Sequence, residues 1–407
     1  MLLDRTGRTL LALTTAAALL SGWLLAPGDT RAARGMELAI QDDALFVRGN
    51  SHWTGNMAFD YARAIGVTRV RVNLLWAYTM PPSQRDAGRK PGAIDYDFTE
   101  IDQLIDRAAA NGIRVHLALT GPAPRWANAR GAGPTKAWYK PNADQFGAFA
   151  SVVAEHFRGR VDRYSIWNEP NWRTWLGPLK AAPSIYRALY LRGYAAIKEA
   201  DPRAKVLIGE TSPYGRPGLS TSPLAFLRKV ACVNRNYRRV GRCPTLRADG
   251  YAHHPYDFAH APGFQYPGAD NVTIGTLSRL TRTLDRLRQV GALRPTGRGR
   301  MPLYLTEYGY FAKGRRALPP GTRSRYLKQA YSIALRNPRV KSQMQYLMMV
   351  LPRGSKSTFN TGLVTSRGKR LPQYNALRSW YRANRGKVKR PGSALTLPAA
   401  QPNPTAG

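Results

Sequence analysis

The feature that most constrains the fold of this chain is a regular alternation between residues 36 and 385, where short apolar runs are separated by longer amphipathic segments. The runs are rich in β-branched or aromatic residues and have the length of buried strands. They are MELAI (36–40), TRVRVNLLW (68–76), IRVHLAL (113–119), RVDRYSIWN (160–168), AKVLIGE (204–210), DGYAHH (249–254), MPLYLTE (301–307) and SQMQYLMM (342–349). The intervening segments with helical spacing include 97–112, 143–157, 184–200, 273–291 and 322–336. Two of these end at Gly112 and Gly291, and glycine is common just beyond a helix.

Eight strands that alternate with helices predict an α/β fold, and specifically a (β/α)8 TIM barrel. A doubly wound parallel sheet is the alternative, but no glycine-rich phosphate loop follows the first strand. We therefore expect a single catalytic barrel over residues 36–385. In such a barrel, functional side chains come from the C-terminal ends of the strands.

The N-terminus has the pattern of a signal peptide. Arg5 and Arg8 precede an apolar run from Leu10 to Ala26, and small residues follow near Ala32. An uncleaved anchor is the alternative, although roughly 16 apolar residues fall short of the ~20 that span a bilayer. We expect residues 1–32 to be removed, leaving a secreted or cell-surface protein with no stable membrane span.

The chain has two cysteines, Cys232 and Cys243. In an exported protein, an even pair at short spacing predicts a disulfide that closes a surface loop. Two cysteines without CxxC spacing make a poor zinc site, and no His/Asp cluster has metal-ligand spacing. We expect no metal and no organic cofactor.

The chain carries 62 basic and 24 acidic residues, a formal net charge of +38. Clustered Lys and Arg are typical of nucleic-acid binding, but an exported protein does not meet genomic DNA, so we expect no nucleic-acid partner. Two interpretations stay open, an arginine-rich solvated surface and attraction to an acidic glycan or cell-wall polymer. We expect a monomer.

Residues 386–407 begin with basic side chains and continue as PGSALTLPAAQPNPTAG, which is uncharged and rich in Pro and Ala. Such composition cannot bury a core, so it predicts a disordered tail.

Carboxylates, an amide and a histidine collect at the predicted C-terminal strand ends. Asn168 and Glu169 follow the fourth strand in SIWNEPNW, and Glu307 closes the seventh in LYLTEYGY. With these placements the sequence resembles the clan A retaining glycoside hydrolases, which are (β/α)8 enzymes, over about residues 36–385. Family 39-like and family 5-like members fit equally well.

The resemblance implies that Glu169 is the acid/base and Glu307 the nucleophile of a double displacement. One carboxylate attacks the anomeric carbon, while the other protonates the leaving oxygen and then activates water. It also implies that Asn168 hydrogen-bonds the sugar 2-hydroxyl. Arg71 matches the arginine that keeps the nucleophile ionised, with Arg69 on the same strand face as the alternative.

His254 and Tyr256 resemble a His-x-Tyr motif that orients the nucleophile or contacts the sugar. Trp126 and Trp172 lie in loops that would line the pocket, where flat aromatic rings suit the CH faces of sugars. Glu210, at the end of the fifth predicted strand, is interpreted as a supporting carboxylate.

One departure from clan A concerns strand eight, which ends in many families with a tryptophan under the sugar. Here QYLMMVLPRG has none, so either Met348 or Met349 fills that space or the loop is remodelled.

The leading hypothesis is an exported retaining glycoside hydrolase that cleaves O-glycosidic bonds of a β-linked polysaccharide or oligosaccharide. The alternatives are a non-hydrolytic carbohydrate- or polyanion-binding cell-surface protein on the same barrel, or a transglycosylase.

Overall fold

The computed structural model describes residues 35–49, 52–53, 56–129, 138–351 and 359–407. The segment predicted to be a signal peptide, 1–32, lies outside these residues. Within the described ranges, no helix combines the length and the apolar character needed to cross a membrane.

Eight parallel strands close into a barrel, in which each strand pairs with its neighbour in sequence and the last pairs with the first. They are β1 (Glu37–Gln41), β2 (Val67–Leu75), β3 (Arg114–Thr120), β4 (Arg163–Ile166), β5 (Lys205–Thr211), β6 (Gly250–His253), β7 (Leu303–Leu305) and β8 (Val340–Tyr346). Every predicted strand is present, and the (β/α)8 prediction is confirmed.

One helix of eight residues or more follows each strand in the described part of the chain. They are α1 (Met57–Ala64), α2 (Thr99–Ala110), α3 (Ala143–His156), α4 (Ala182–Ala200), α5 (Pro223–Val230), α6 (Leu277–Gln289), α7 (Pro320–Arg336) and α8 (Pro372–Asn384). Proline in the first turn of α4, α5, α7 and α8 suits a position whose N–H has no helical partner. Gly112 and Gly291 follow α2 and α6 with left-handed φ, as predicted.

Helix α6 shows how the sequence divides these helices into two faces. Leu277, Leu280, Leu284 and Leu287 are buried against the barrel at helical spacing. Arg282, Arg286 and Arg288 are exposed, so this helix carries positive charge on the outside of the helical layer.

An ion-pair network fills the barrel interior at the N-terminal ends of the strands. Arg69 Nε lies 3.3 Å from Glu37 Oε2, and Arg69 Nη1 lies 2.6 Å from Asp162 Oδ1. Arg163 Nη1 lies 2.6 Å from the same Glu37 oxygen, and Lys389 Nζ lies 3.1 Å from Oε1. Arg69 therefore pairs with acids at the N-terminal end of the barrel, whereas Arg71 pairs with Glu210 and Glu307.

Cys232 and Cys243 form the predicted disulfide, with their Cα atoms 6.3 Å apart. The bond closes the loop between α5 and β6.

The prediction of a disordered tail does not match the structure of residues 391–407. Leu395 N donates to Ala109 O at 2.8 Å, and Asn403 Oδ1 accepts from Phe98 N at 2.9 Å. Thr405–Ala406 then pairs antiparallel with Ile94–Asp95. An extended proline-rich chain has main-chain groups free to hydrogen-bond, so it can follow a surface without a core of its own.

Candidate active site

Five strand ends bring the predicted site residues together at the C-terminal end of the barrel. Arg71 comes from β2, Glu169 follows β4, Glu210 lies in β5, His254 follows β6 and Glu307 follows β7. The main chain joins two of these positions, since Glu169 N donates to Glu210 O at 2.9 Å. These side chains, which were predicted from their positions at the C-terminal ends of strands, therefore lie in one cluster.

Glu307 is held from two sides. Arg71 Nη1 lies 3.1 Å from Oε1, and Tyr256 Oη donates to Oε2 at 3.1 Å. Burial raises the pKa of Glu307, and the positive charges of His254 and Arg71 oppose that rise. Removing either cation would therefore make this carboxylate harder to ionise.

His254 is buried among three carboxylates. Its Nδ1 lies 3.1 Å from Glu169 Oε1 and 3.6 Å from Glu307 Oε2, and its Nε2 lies 2.8 Å from Glu210 Oε2. Burial alone would lower the pKa of His254, but Glu307, Glu169 and Glu210 outweigh it and raise it to about 10. The imidazole is therefore a cation at neutral pH, and both of its nitrogens donate.

The shared contact with His254 Nδ1 limits the distance between the predicted catalytic carboxylates. The two oxygens cannot be farther apart than the 3.1 Å and 3.6 Å contacts laid end to end. Retaining glycosidases hold their carboxyl groups roughly 5–5.5 Å apart, whereas inverting ones need about 6.5–9.5 Å to admit water between them. The upper limit is compatible with the shorter class and lies below most of the inverting range.

Glu210 is completely buried at the centre of the cluster. Its Oε2 accepts from Arg71 Nη2 at 3.1 Å and from Thr306 Oγ1 at 2.7 Å, besides His254. Burial would raise the pKa of Glu210, but Arg71 and His254 hold it well below its usual range. This carboxylate is an ionised counter-charge for both cations, as a supporting role requires.

A β-bulge explains how Glu210 reaches the barrel interior. The pairing of β5 with β6 shifts register between Gly209 and Thr211. Gly209 has φ +118°, and a Cβ there would lie 2.4 Å from Ala252 O, so the position needs glycine. The extra residue turns Glu210 inward with φ +49°.

The chain also turns sharply around Asn168. Both Trp167 (φ 66°) and Glu169 (φ 39°) have left-handed backbone, which is costly for residues with a Cβ and is concentrated at functional sites. As a result Asn168 and Glu169 both face the cluster. Asn168 Oδ1 accepts from Arg71 Nη2 at 2.9 Å, which leaves Nδ2 as the end of the amide that can donate.

Acidic residues after β1 extend the negative region. Arg71 Nη1 donates to Gln41 Oε1, which also places β1 at the site. Burial raises the pKa of Asp43 to about 6, with Arg71 opposing, and raises that of Asp42 to about 7. Asp42 Oδ2 accepts from Met349 N at 2.9 Å and so ties β1 to the segment after β8. The sequence feature that locates these two aspartates is their position directly after the first apolar run.

The aromatic residue at the end of β8 is Tyr346. Burial raises its pKa, and the negative charges of Glu307 and Asp43 add to that effect, which places the phenol beside the cluster. Met348 and Met349 lie instead in the hydrophobic core. The strand β8 ends three residues earlier than predicted, at Tyr346 rather than at Met349, which favours the alternative of a remodelled loop over a methionine in the space of the clan A tryptophan.

The two predicted platform tryptophans differ in their surroundings. Trp172 N donates to Glu169 O at 2.8 Å, so the main chain of Trp172 lies beside that of the predicted acid/base. Trp126 donates from Nε1 to Gln84 O at 3.0 Å and packs edge-on against the buried Trp76, 6.0 Å between centroids. Trp126 is thus part of the loop packing after β2 and β3.

Comparison with solved structures gives matches among glycoside hydrolases. A family 39 glycoside hydrolase from the gut symbiont Bacteroides cellulosilyticus WH2 superposes with a TM-score of 0.61 at 19% identity, over 86% of this chain and 64% of that chain. A GH5_18 protein from Streptomyces cattleya, solved in complex with GlcNAc, has a TM-score of 0.59 at 16% identity, over 88% and 83%. A monomeric beta-xylosidase from Caulobacter crescentus CB15 has a TM-score of 0.55 at 19% identity, over 86% and 69%.

The barrel has the fold of clan A glycoside hydrolases. The chain spans about two thirds of the Bacteroides enzyme, or 64% of its length. At these identities the likeness concerns the fold. No protein-family model matches the sequence, and no curated protein sequence matches it.

Proposed function

We propose that this chain is an exported retaining glycoside hydrolase that cleaves O-glycosidic bonds of a β-linked polysaccharide or oligosaccharide. The observation that carries the proposal is the contact of Glu169 and Glu307 with one imidazole nitrogen, at 3.1 Å and 3.6 Å. Two carboxylates at such close range, on strands four and seven of this fold, suit double displacement.

In the first step the ionised Glu307 attacks the anomeric carbon. The bond to the leaving oxygen breaks as the new C–O bond forms, and Glu169 gives its proton to that oxygen. Arg71 and Tyr256 direct Glu307 and favour its charged form. In the second step Glu169 takes a proton from water, the resulting hydroxide adds to the anomeric carbon, and the Glu307 bond breaks.

His254 couples the two steps electrostatically. Glu307 loses its negative charge when the glycosyl-enzyme forms, at the moment when Glu169 becomes negative. The His254 cation contacts both carboxylates, so it remains paired throughout. We propose that it acts by positioning and charge compensation, with Glu210 holding its other nitrogen.

Substrate contacts follow from the same geometry. Asn168 Nδ2 is the donor for the sugar 2-hydroxyl, a contact that strengthens in the transition state. Trp172 and Trp126 are the candidate sugar platforms, and Trp172 has the stronger support because of its link to Glu169. Solved proteins with the same fold include a beta-xylosidase and an exo-beta-1,4-mannosidase, which supports a β-linked substrate.

Secretion or cell-surface display, as a monomer, completes the proposal. The signal-peptide pattern over 1–32 and the disulfide between Cys232 and Cys243 support export, and retention of the segment as an anchor is the alternative. The net charge of +38 supports a further partner outside the cell, an acidic glycan.

The test is product stereochemistry. The purified chain is incubated with β-linked polysaccharides and aryl β-glycosides, and the anomer first released is followed by proton NMR. Retention with mass-spectrometric capture of a 2-fluoroglycosyl group on Glu307 supports double displacement. Inversion contradicts it, transfer to sugar without hydrolysis identifies a transglycosylase, and binding without turnover identifies a non-hydrolytic carbohydrate-binding protein.

A further inference from the structure

A cavity of about 440 Å³ lies among the loops that follow β5, β6 and β7. Its walls combine flat aromatic rings with guanidinium groups. The residues that carry the argument are Tyr214, Arg216, Phe258, Tyr266, Arg315 and Arg316. None of them belongs to the cluster proposed to perform the chemistry.

The cavity adjoins that cluster through two contacts. Phe258 stacks on Tyr256 with ring centroids 4.7 Å apart, and Tyr256 donates to Glu307. Arg216 lies 5.9 Å from the centroid of Trp172, whose main-chain N–H donates to Glu169. A glycan with one linkage at the two carboxylates would therefore have a neighbouring sugar within reach of this cavity.

The cavity is positively charged. Arg216 lies over the Tyr214 ring at 5.1 Å, and Arg316 lies over the Phe311 ring at 5.6 Å. The carboxylate in the lining, Asp257, is buried and accepts from Ala259 N, His260 N and the His260 ring. The described salt bridges pair Asp257 with His260 and include none to the lining arginines. Their charges are thus available to a ligand.

The aromatic wall contains a stacked pair of rings. Tyr214 and Tyr266 stack with centroids 5.0 Å apart and ring planes 8° apart. Tyr214 is largely buried and also carries Arg216 over its ring, so the half-buried Tyr266 has the face that is left for a ligand. Aromatic faces bind the CH face of a sugar, while a guanidinium fork matches the oxygens of a carboxylate or a sulfate ester. The two features together fit a sugar ring that bears an anionic group.

We propose that this cavity is a subsite for an acidic sugar residue, carrying a carboxylate or a sulfate ester, in the glycan that Glu169 and Glu307 cleave. This inference rests on the proposed function for the linkage that is cut, but the binding it describes does not require turnover. It gives part of the large positive charge a specific location beside the site.

The competing explanation is general attraction of polyanions by the basic surface. A second groove, of about 700 Å³ between α5 and α6, is also rich in arginine and includes the exposed Arg282 and Arg286. It lies on the outside of the helical layer, and its arginines provide a matched control with the same number of charges.

The experiment compares the full chain with the double variants R315Q/R316Q and R282Q/R286Q by calorimetry. The probes are a galacturonate hexamer, a sulfated heparin hexasaccharide and neutral xylohexaose, each in 150 mM and about 500 mM salt, since high salt screens exposed charges. All four substituted arginines are exposed, so both variants should fold. The single variant R216Q serves as a second test within the cavity.

We expect the wild type to bind one or both acidic probes more tightly than xylohexaose, and R315Q/R316Q to weaken that binding roughly ten-fold. R282Q/R286Q should leave it within about two-fold. The probe that loses affinity identifies the anionic group as carboxylate or sulfate. Equal losses in the two double variants, or unchanged binding in R315Q/R316Q and R216Q, would overturn the proposal.

Repeating the titration with E307A separates this proposal from the enzymatic one. If the variant and the wild type both lack hydrolysis but the cavity variants still lose affinity for acidic probes, the subsite stands and the hydrolase proposal fails. If the wild type hydrolyses neutral glycans, E307A does not, and the cavity variants bind the acidic probes as the wild type does, the hydrolase proposal stands and the subsite proposal fails.

Discussion

The two ends of the barrel interior both hold buried arginines and carboxylates, but in different ratios. At the N-terminal end, Arg69, Arg163 and Lys389 surround Glu37, with Asp162 as the second acid. Although burial opposes it, these cations hold the pKa of Glu37 well below its usual range, and Arg69 and Arg163 lower the pKa of Asp162 to about 2. Each of these two acids is thus paired with at least one cation.

At the C-terminal end the acids exceed the cations. Arg71 and His254 serve Glu169, Glu210 and Glu307, with Asp43 close by. Burial raises the pKa values of Glu307 and Asp43 despite the opposing charge of Arg71, and the acidic neighbours of His254 raise its pKa against the effect of burial. One end of the barrel is built for stability, whereas the other keeps carboxylates whose protonation can change during a reaction.

The largest expected effect separates the two ends by function. Substituting Glu307→Ala should lower kcat on the order of 10⁴-fold, because the proposed nucleophile is gone. The free energy of unfolding should stay within about 1 kcal/mol of the wild type, since a carboxylate from an over-acidic cluster is removed. Glycoside hydrolysis rates and urea unfolding measure the two. Glu199→Ala, on the exposed side of α4, is the control, and retained hydrolysis in the Glu307 variant would contradict the mechanism.

Removing an acid at the N-terminal end of the barrel should reduce stability. Glu37→Ala leaves Arg69 and Arg163 buried without their shared acid, which should lower the free energy of unfolding by about 3–5 kcal/mol. Asp162 belongs to the same network but its side chain is 45% exposed, against 6% for Glu37. Asp162→Ala should therefore cost about 1 kcal/mol or less. Equal losses for the two variants, measured by urea unfolding, would show that burial does not distinguish them.

The sequence was sufficient to predict the barrel because the apolar runs and the amphipathic segments have different hydrophobic periods. Each of the eight strands overlaps one of the apolar runs. The sequence could not separate Arg69 from Arg71. Residues two apart on a strand face the same side, and only their height within the barrel decides which acids they meet.

Other features depended on local geometry that composition does not report. The inward turn of Glu210 needs the bulge at Gly209, and Tyr346 reaches the cluster because β8 ends there. The C-terminal segment was predicted to be disordered because it is uncharged and rich in Pro and Ala. Its order comes from main-chain hydrogen bonds, to which such composition gives no clue.

The two buried arginines on β2 can be compared through pH dependence. As the proposed nucleophile, Glu307 has to be ionised to attack, so we expect activity to fall as pH drops through its pKa. Arg71→Gln removes a charge that lowers this pKa, and the acidic limb of kcat/KM should move upward by about one pH unit, equivalent to about 1.4 kcal/mol. Arg71→Lys keeps a positive charge and should return the acidic limb most of the way to its wild-type position. Arg69→Gln should reduce stability without moving the limb; a shift of equal size in that variant would mean that the two ends of the barrel are electrostatically coupled.

The last prediction concerns the alkaline side of stability. The folded pKa of His254, about 10, is above its unfolded value, so its contribution is fully present below about pH 6.5 and is lost as pH rises toward 10. Glu37 behaves in the opposite way, because its lowered pKa gives stability that is present above its unfolded pKa and is lost only in acid. Between pH 7 and 9 the stability difference between wild type and His254→Asn should therefore shrink by up to about 1.4 kcal/mol per pH unit. Urea unfolding at several pH values measures this slope. A difference that stays constant over this range would mean that His254 is neutral in the folded protein, and the proposed charge compensation between Glu169 and Glu307 would lose its basis.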